Sequence, residues 1–238
     1  MEALFAQLSF GPDGWGDELA AGAWMTVRLA VVTLPFGLVL GFLIALAKVG
    51  DRRWLNWLGE IYTTVFRGLP ELLTLFIIYY GGQILLQKAV ALVAPDAEVG
   101  VSSFVAGMIA LGMVFAAYAS EAFVSAIRAI GKGQFEAGDA LGMRRATTWI
   151  VVVLPQLFRL ALPAIGNLWL VLLKETSLVS VIALNDLLRT TNIIVGATKQ
   201  PFFFFLVALL IYLVLSIVSS YGLSRLEARF GRGYGLAR

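Results

Sequence analysis

The 238 residues contain no cysteine and no histidine, and only 14% of them carry charge. The first absence excludes disulfides and thiol nucleophiles, and the second excludes histidine acid–base chemistry. Together they leave no Cys/His zinc site. Phosphate-binding signatures are missing as well: Gly131-Lys132-Gly133 lacks the G-x-x-x-x-G-K-[ST] spacing, so the chain cannot hydrolyse ATP by itself. No Asp falls within an apolar run, which removes a two-aspartate intramembrane protease. No polar stretch is long enough for a soluble domain. The N-terminal acids Glu2, Asp13, Asp17 and Glu18 precede the first basic residue, Arg28. That is the reverse of a signal peptide's basic start, so the first span is expected to be retained.

What fills the chain is apolar. Hydrophobic residues make up 60%, against about 45–50% in soluble domains, and the mean hydropathy is +0.87. Five spans are expected, at about 22–47, 68–86, 101–124, 164–184 and 202–223, giving an all-α membrane protein. Pro35 lies inside the first span, where Gly37 and Gly41 form a small-xxx-small pair that allows close helix approach. A polar connection holds Asn185, Asp186, Arg189, Thr190, Thr191 and Asn192. Basic residues set the orientation. The segments 48–67 and 128–159 and the C-terminal tail share 13 Lys/Arg, against three (Lys88, Arg189, Lys199) on the other side. By the positive-inside rule the rich side is cytoplasmic, with the N-terminus outside and the C-terminus inside.

Residues 134–163 are neither a plausible span nor an ordinary hydrophilic loop. A helix-forming run, Phe135–Leu141, stops at Gly142, a favoured residue just past a helix end. Arg144 and Arg145 follow. The apolar run Trp149–Leu154, cut off at Pro155, is too short to cross and is expected to lie on or under the membrane. The pairs Glu136-Ala137, Leu141-Gly142 and Leu154-Pro155, with Pro163, resemble the EAA loop of ABC-transporter permease subunits. Phe66-Arg67-Gly68-Leu69-Pro70-Glu71 resembles the RGxP signature of permeases for polar amino acids. Ala119-Ser120-Glu121-Ala122-Phe123 and Lys174-Glu175-Thr176-Ser177-Leu178 resemble two further motifs of those proteins. An acid after the RGxP proline, as Glu71 is here, is similar to the histidine, lysine/arginine/ornithine and opine permeases, Q-type subunits.

The resemblance implies a type I ABC importer transmembrane fold. It comprises a periplasmic tail (1–21), a permease domain (22–224) with a coupling loop (131–163), and a basic cytoplasmic tail (225–238). It implies coupling to the ATPase through Glu136, Ala137, Leu141, Gly142, Arg144, Pro155 and Pro163. The implied partners are a second permease subunit, two ATP-binding cassette subunits and a periplasmic solute-binding protein. No cofactor is expected, because ATP is bound by the partner.

Ionisable residues at membrane depth each want a partner or a wet cavity. Arg28, near the end of its span, can snorkel to the interface. Glu71, following a proline that starts or distorts a helix, is expected to line the solute path, with Glu121, Lys174 and Glu175 as further candidates. Seven-residue spacing places Glu121 on one helix face with Arg128, its expected partner. Lys174 and Glu175 point about 100° apart, so each is expected to meet another helix. Glu136 is expected near the positive end of its helix dipole. The alternative is a proton-coupled secondary amino acid carrier working through Glu71 and Glu121. Five spans without a visible inverted repeat weigh against it.

Overall fold

The computed structural model describes residues 6–12, 14–92 and 100–231, so Glu2, Asp13, Pro95, Asp96, Glu98, Arg232 and Arg238 lie outside it. Among the described residues the secondary structure is helical: α1 (Gly16–Val49), α2 (Arg53–Gly68), α3 (Glu71–Ala91), α4 (Ser103–Ala129), α5 (Lys132–Ala140), α6 (Arg145–Ile182), α7 (Leu187–Thr198) and α8 (Pro201–Gly231). Five of these, α1, α3, α4, α6 and α8, are long and apolar enough to cross a membrane. The first begins six residues before Gly22, and the last carries Arg225 and Arg229 as helix rather than tail.

Helix α4 is the centre of the bundle, because it is built from small residues that let neighbours approach. Along it Ala106, Gly107, Ala110, Gly112, Ala116, Ala117, Ala119 and Ser120 are buried. Helix α1 packs parallel to α4 through a stripe at four-residue spacing, Leu29, Thr33, Gly37, Gly41 and Ala45. A methyl group at Gly41 would stand 2.9 Å from the Ala116 carbonyl oxygen, so the two backbones touch where a side chain would not fit. Helix α6 runs antiparallel to α4, bringing Val179 against Gly107.

Three expectations about these elements need correction. Trp149–Leu154 is not a separate surface segment, because α6 is continuous from Arg145 through Pro155 and Pro163. The reason is a π-helical turn at Trp149–Val153, in which the Leu154 N–H donates to the Trp149 carbonyl five residues back. The wider turn just ahead of Pro155 makes room for a residue that has no N–H and crowds the preceding turn. Second, the span read at 68–86 is α3, Glu71–Ala91, and a further helix that the sequence analysis does not place, α2, precedes it. Helix α2 leaves the Lys48 end of α1, where Gly59 sits against Lys48, and climbs beside α4, where the Tyr62 hydroxyl donates to the Met113 carbonyl (2.9 Å). After a break at Leu69-Pro70, α3 continues to the start of α4, where the Val101 N–H donates to Gln83 Oε1 (2.7 Å). Third, the polar connection folds as α7. Buried Asp186 caps it, accepting from the N–H groups of Arg189 (3.0 Å) and Leu188 (3.3 Å), while the Thr26 hydroxyl accepts from Leu187 N–H (3.2 Å).

An ion-pair network ties α1, α2 and α4 at one level. Lys48 Nζ lies 2.6 Å from Glu121 Oε1 and 3.1 Å from Glu60 Oε2, and donates to Thr63 Oγ1 at 3.2 Å. Arg67 adds a contact to Glu121 at 3.4 Å and lies over the Tyr118 ring. The expected Glu121–Arg128 pair is therefore replaced. Seven residues along a helix are about 10.5 Å of rise, too far to bridge when α1 and α2 deliver two cations directly. Arg28, as expected of a structural residue, lies over the Phe104 ring, 5.1 Å from its centroid.

Two predictions follow from these contacts. Lys48→Met strands Glu121 with Arg67 alone, and should cost near the lower end of the roughly 3–5 kcal/mol typical of a broken buried pair. Adding Glu121→Gln should recover part of the lost melting temperature in detergent; strictly additive losses would contradict the pairing. Burial pushes the Asp186 carboxyl up to about 6 from 3.8. With the folded value above the unfolded one, the folded state binds more protons between those values, so stability should fall as pH rises through that window. Asp186→Asn, which keeps the cap, should flatten that slope in a melting-temperature series against pH, and an unchanged slope would assign it elsewhere.

Candidate functional site

Two sets of residues draw attention: a polar face within the bundle and an exposed short helix at one end. The polar face is carried by α3, α4 and α6. On α6, Leu160, Ala164, Asn167, Val171 and Lys174 recur every three or four residues, so they line one side of the helix. Opposite them on α4 stand Tyr118, Glu121, Ala122 and Ser125. This face opens into two cavities. One, of about 310 Å³, is lined by Glu71, Val171, Lys174, Glu175, Ser177 and Leu178. The other, of about 470 Å³, lies between α4 and α6 around Glu121, Ser125 and Asn167.

The chain reaches the first cavity because the α2–α3 break places Glu71 at the first turn of α3, midway along the bundle. There Glu71 meets the far end of α6, and the Glu71 and Glu175 carboxyls come within hydrogen-bond reach. Lys174 is exposed beside them, and its charge acts on Glu175. The structure thus brings together Glu71, Lys174 and Glu175, whereas Glu121 lines the second cavity, closer to the Lys48 network. Asn167, Tyr118 and Ser125 escaped the sequence reading. Their signal was polar residues sharing one face with Lys174 and Glu121, visible only by projecting both helices onto a 3.6-residue wheel.

Helix α5 is the exposed element. Its end is a Schellman motif: Met143 N–H donates to the Gly138 carbonyl (3.0 Å) and Gly142 N–H to the Asp139 carbonyl (3.0 Å), with Gly142 at φ +68°. Only a residue without a Cβ adopts that φ without strain. Gly138 is buried against Thr148, and Phe135 meets Trp149 edge-on at 5.7 Å, so α5 is fixed to the start of α6. Glu136, Ala137, Leu141, Gly142 and Arg144 are exposed on it, Leu141 to 79%. Because α5 starts at Lys132, Glu136 lies in its second turn, away from the helix's positive end where it was expected. Pro155 and Pro163 belong to α6, higher up. Among the described residues there is no cluster of acids that could hold a metal ion.

The chain is similar to known proteins in sequence and in fold. Over 228 residues the chain is 42% identical to the nopaline transport system permease protein NocQ of Agrobacterium fabrum, covering 95% of this chain and 96% of that one. It is also 42% identical over 226 residues to the arginine ABC transporter permease protein ArtQ of Escherichia coli, covering 90% and 95%. A solved amino acid ABC transporter with histidines superposes with a TM-score of 0.77 at 33% identity, over 90% of this chain and 95% of its own. The model of the family described as binding-protein-dependent transport system inner membrane component matches residues 37–232, and the chain belongs to that family.

Proposed function

We propose that this inner-membrane permease subunit serves the ATP-driven import of amino acids that carry positive charge, basic amino acids or opines. The observation that carries this reading is the Glu71–Glu175 pair of carboxyls facing one cavity, with Lys174 at its edge. Two acids offer a site for an ammonium or guanidinium group, and a lysine can receive a carboxylate, the complement of a cationic amino acid. The relatives named for the transport of nopaline and of arginine support the same solute class.

Energy enters in this reading at α5, the coupling helix, with its end of the bundle in the cytoplasm. Glu136, Ala137, Leu141, Gly142 and Arg144 present the docking surface for an ATP-binding subunit. Pro155 and Pro163 shape α6, the rod that joins this surface to the polar cavity. Asn185, Arg189 and α7 then face the periplasm and a solute-binding protein. The polar face of α4 and α6 is open on one side, which supports a second permease subunit across it, with two ATPase subunits beneath. The basic residues gathered at the α5 end agree with this orientation.

The test is ATP hydrolysis by the complex in proteoliposomes, with binding protein and a panel of arginine, lysine, ornithine, histidine, opines and glutamine. Cationic solutes or opines should stimulate it; stimulation by neutral or acidic amino acids alone would contradict the solute class. Glu71→Gln should raise the requirement for basic solute roughly tenfold, the order expected for one charge-assisted hydrogen bond. Unchanged uptake would remove Glu71 from the path. Gly142→Val forces a β-branched residue into φ +68° and should abolish solute-stimulated hydrolysis while leaving the protein inserted. Full coupling in that variant would remove the turn from the mechanism.

A further inference from the structure

Two carboxyl groups facing each other at membrane depth pose a charge problem that an empty solute site has to solve. Glu71 opens α3 and Glu175 stands near the far end of α6, and both line the cavity of about 310 Å³ within hydrogen-bond reach of each other. An ionised carboxylate only accepts hydrogen bonds, so two of them cannot bond, and their like charges repel. One proton turns that repulsion into a charge-assisted O–H···O hydrogen bond.

The charges around the pair leave that proton in place. Lys174 is the cation beside it, and Val171, Ser177 and Leu178 of the same wall carry no charge. After Glu71, α3 has no charged side chain before Lys88. The cations of α1 and α2 are engaged elsewhere: Arg28 lies over the Phe104 ring, and Lys48 and Arg67 are paired to Glu121 of α4. Past the end of α6, Asp186 caps α7, and Arg189 donates to Asn185 and to the Ser180 carbonyl. With both carboxyls ionised the cavity is negative overall. With one proton on the pair, a single negative charge faces the Lys174 ammonium and the empty cavity is neutral, the state a water-poor site favours.

We propose that the empty site holds one proton between Glu71 and Glu175, and that a basic amino acid expels it on binding. The step rests on the solute class proposed above. As the solute enters, the O–H bond of the protonated carboxyl breaks and its proton passes to cavity water. Two carboxylates then face the guanidinium or side-chain ammonium, and Lys174 takes the α-carboxylate. A basic amino acid brings one net positive charge, so the loaded cavity is neutral again. Glutamine, or an opine whose second carboxylate cancels its extra cation, brings none and leaves the proton in place. Proton release therefore separates solutes that the same cavity residues would otherwise receive alike.

The test uses the whole complex in nanodiscs, without ATP or binding protein. A protonated carboxyl has a carbonyl stretch distinct from that of a carboxylate, and infrared difference spectra should show it in the empty wild type. Glu71→Gln and Glu175→Gln should each remove that band, because the new amide donates to the remaining carboxylate without an acidic proton. Asp186→Asn should leave it. Arginine should abolish the band, whereas glutamine and octopine should not. Calorimetry in two buffers of unlike ionisation enthalpy should give about one proton released per arginine bound, with affinity rising roughly tenfold per pH unit while the pair stays protonated. In the two Gln variants that pH dependence should vanish, and either one suffices if the other does not assemble. Absence of the band from the wild type, its persistence in a Gln variant, or arginine binding without proton release overturns the proposal. Failure of every cationic solute to bind would overturn the solute class, and the expulsion with it, while the band in the empty complex would still report the shared proton.

Discussion

A single ammonium group, Lys48 Nζ, governs how the first half of the bundle is put together. Its side chain is only 2% exposed, so in a low-dielectric setting it must be paired, and its partners come from two other helices. Glu121 fixes α4 against α1, and Glu60 with Thr63 fixes α2. Once α2 is held there, its upward course carries Arg67 to Glu121 and Tyr118, and the chain then breaks at Leu69-Pro70. That break puts Glu71 at mid-bundle instead of at a membrane surface. The sequence motifs around Arg67 and Glu121 are far apart in the chain, yet they make one contact, and a polar cavity opens above it.

The second half of the molecule depends on the continuity of α6. One helix starts beside α5 and carries Lys174 and Glu175 into the cavity with Glu71, about 45 Å away by rise per residue. A rod of that kind transmits a displacement at one end to the other more directly than separate segments could. Its two prolines do not break it, because the π turn takes up the strain of Pro155, and neighbouring helices tolerate the missing hydrogen bond at Pro163. The contacts that join α5 to α6, buried Gly138 close against Thr148 and Phe135 edge-on to Trp149, fix the short helix to the start of the rod.

Much of this was legible in the residues. Hydropathy sufficed for five crossings, Gly142 for the end of α5, and the motif residues for the family. Periodicity was harder where polar and apolar residues mix. Helix α2 carries Trp54, Trp57, Leu58, Ile61 and Val65 on one face, a helical spacing hidden because Arg52, Arg53, Asn56 and Glu60 interrupt the apolar run. Helix α7 was hidden by its threonines, although Asp186 followed by Leu187, Thr191 and Ile194 is a capped amphipathic start. Pro155 misled for a different reason, since a π turn has no sequence signature that outweighs a proline. Partner choice for Glu121 was out of reach because it depends on Lys48, 73 residues away and on another helix.

The claim at the centre of this account is that ATP-driven motion enters through α5. A chain without cysteine offers a direct measurement. With one cysteine introduced at exposed Leu141, and one in the candidate groove of the otherwise cysteine-free ATPase subunit, disulfide formation reports their contact in native membranes. The account predicts a cross-link between Leu141→Cys and the ATPase, which blocks solute-stimulated hydrolysis and is reversed by reductant. A cysteine in place of Asn192 on α7 should give none. Cross-linking of the α7 cysteine to the ATPase, with none at position 141, would contradict both the orientation and the role of α5.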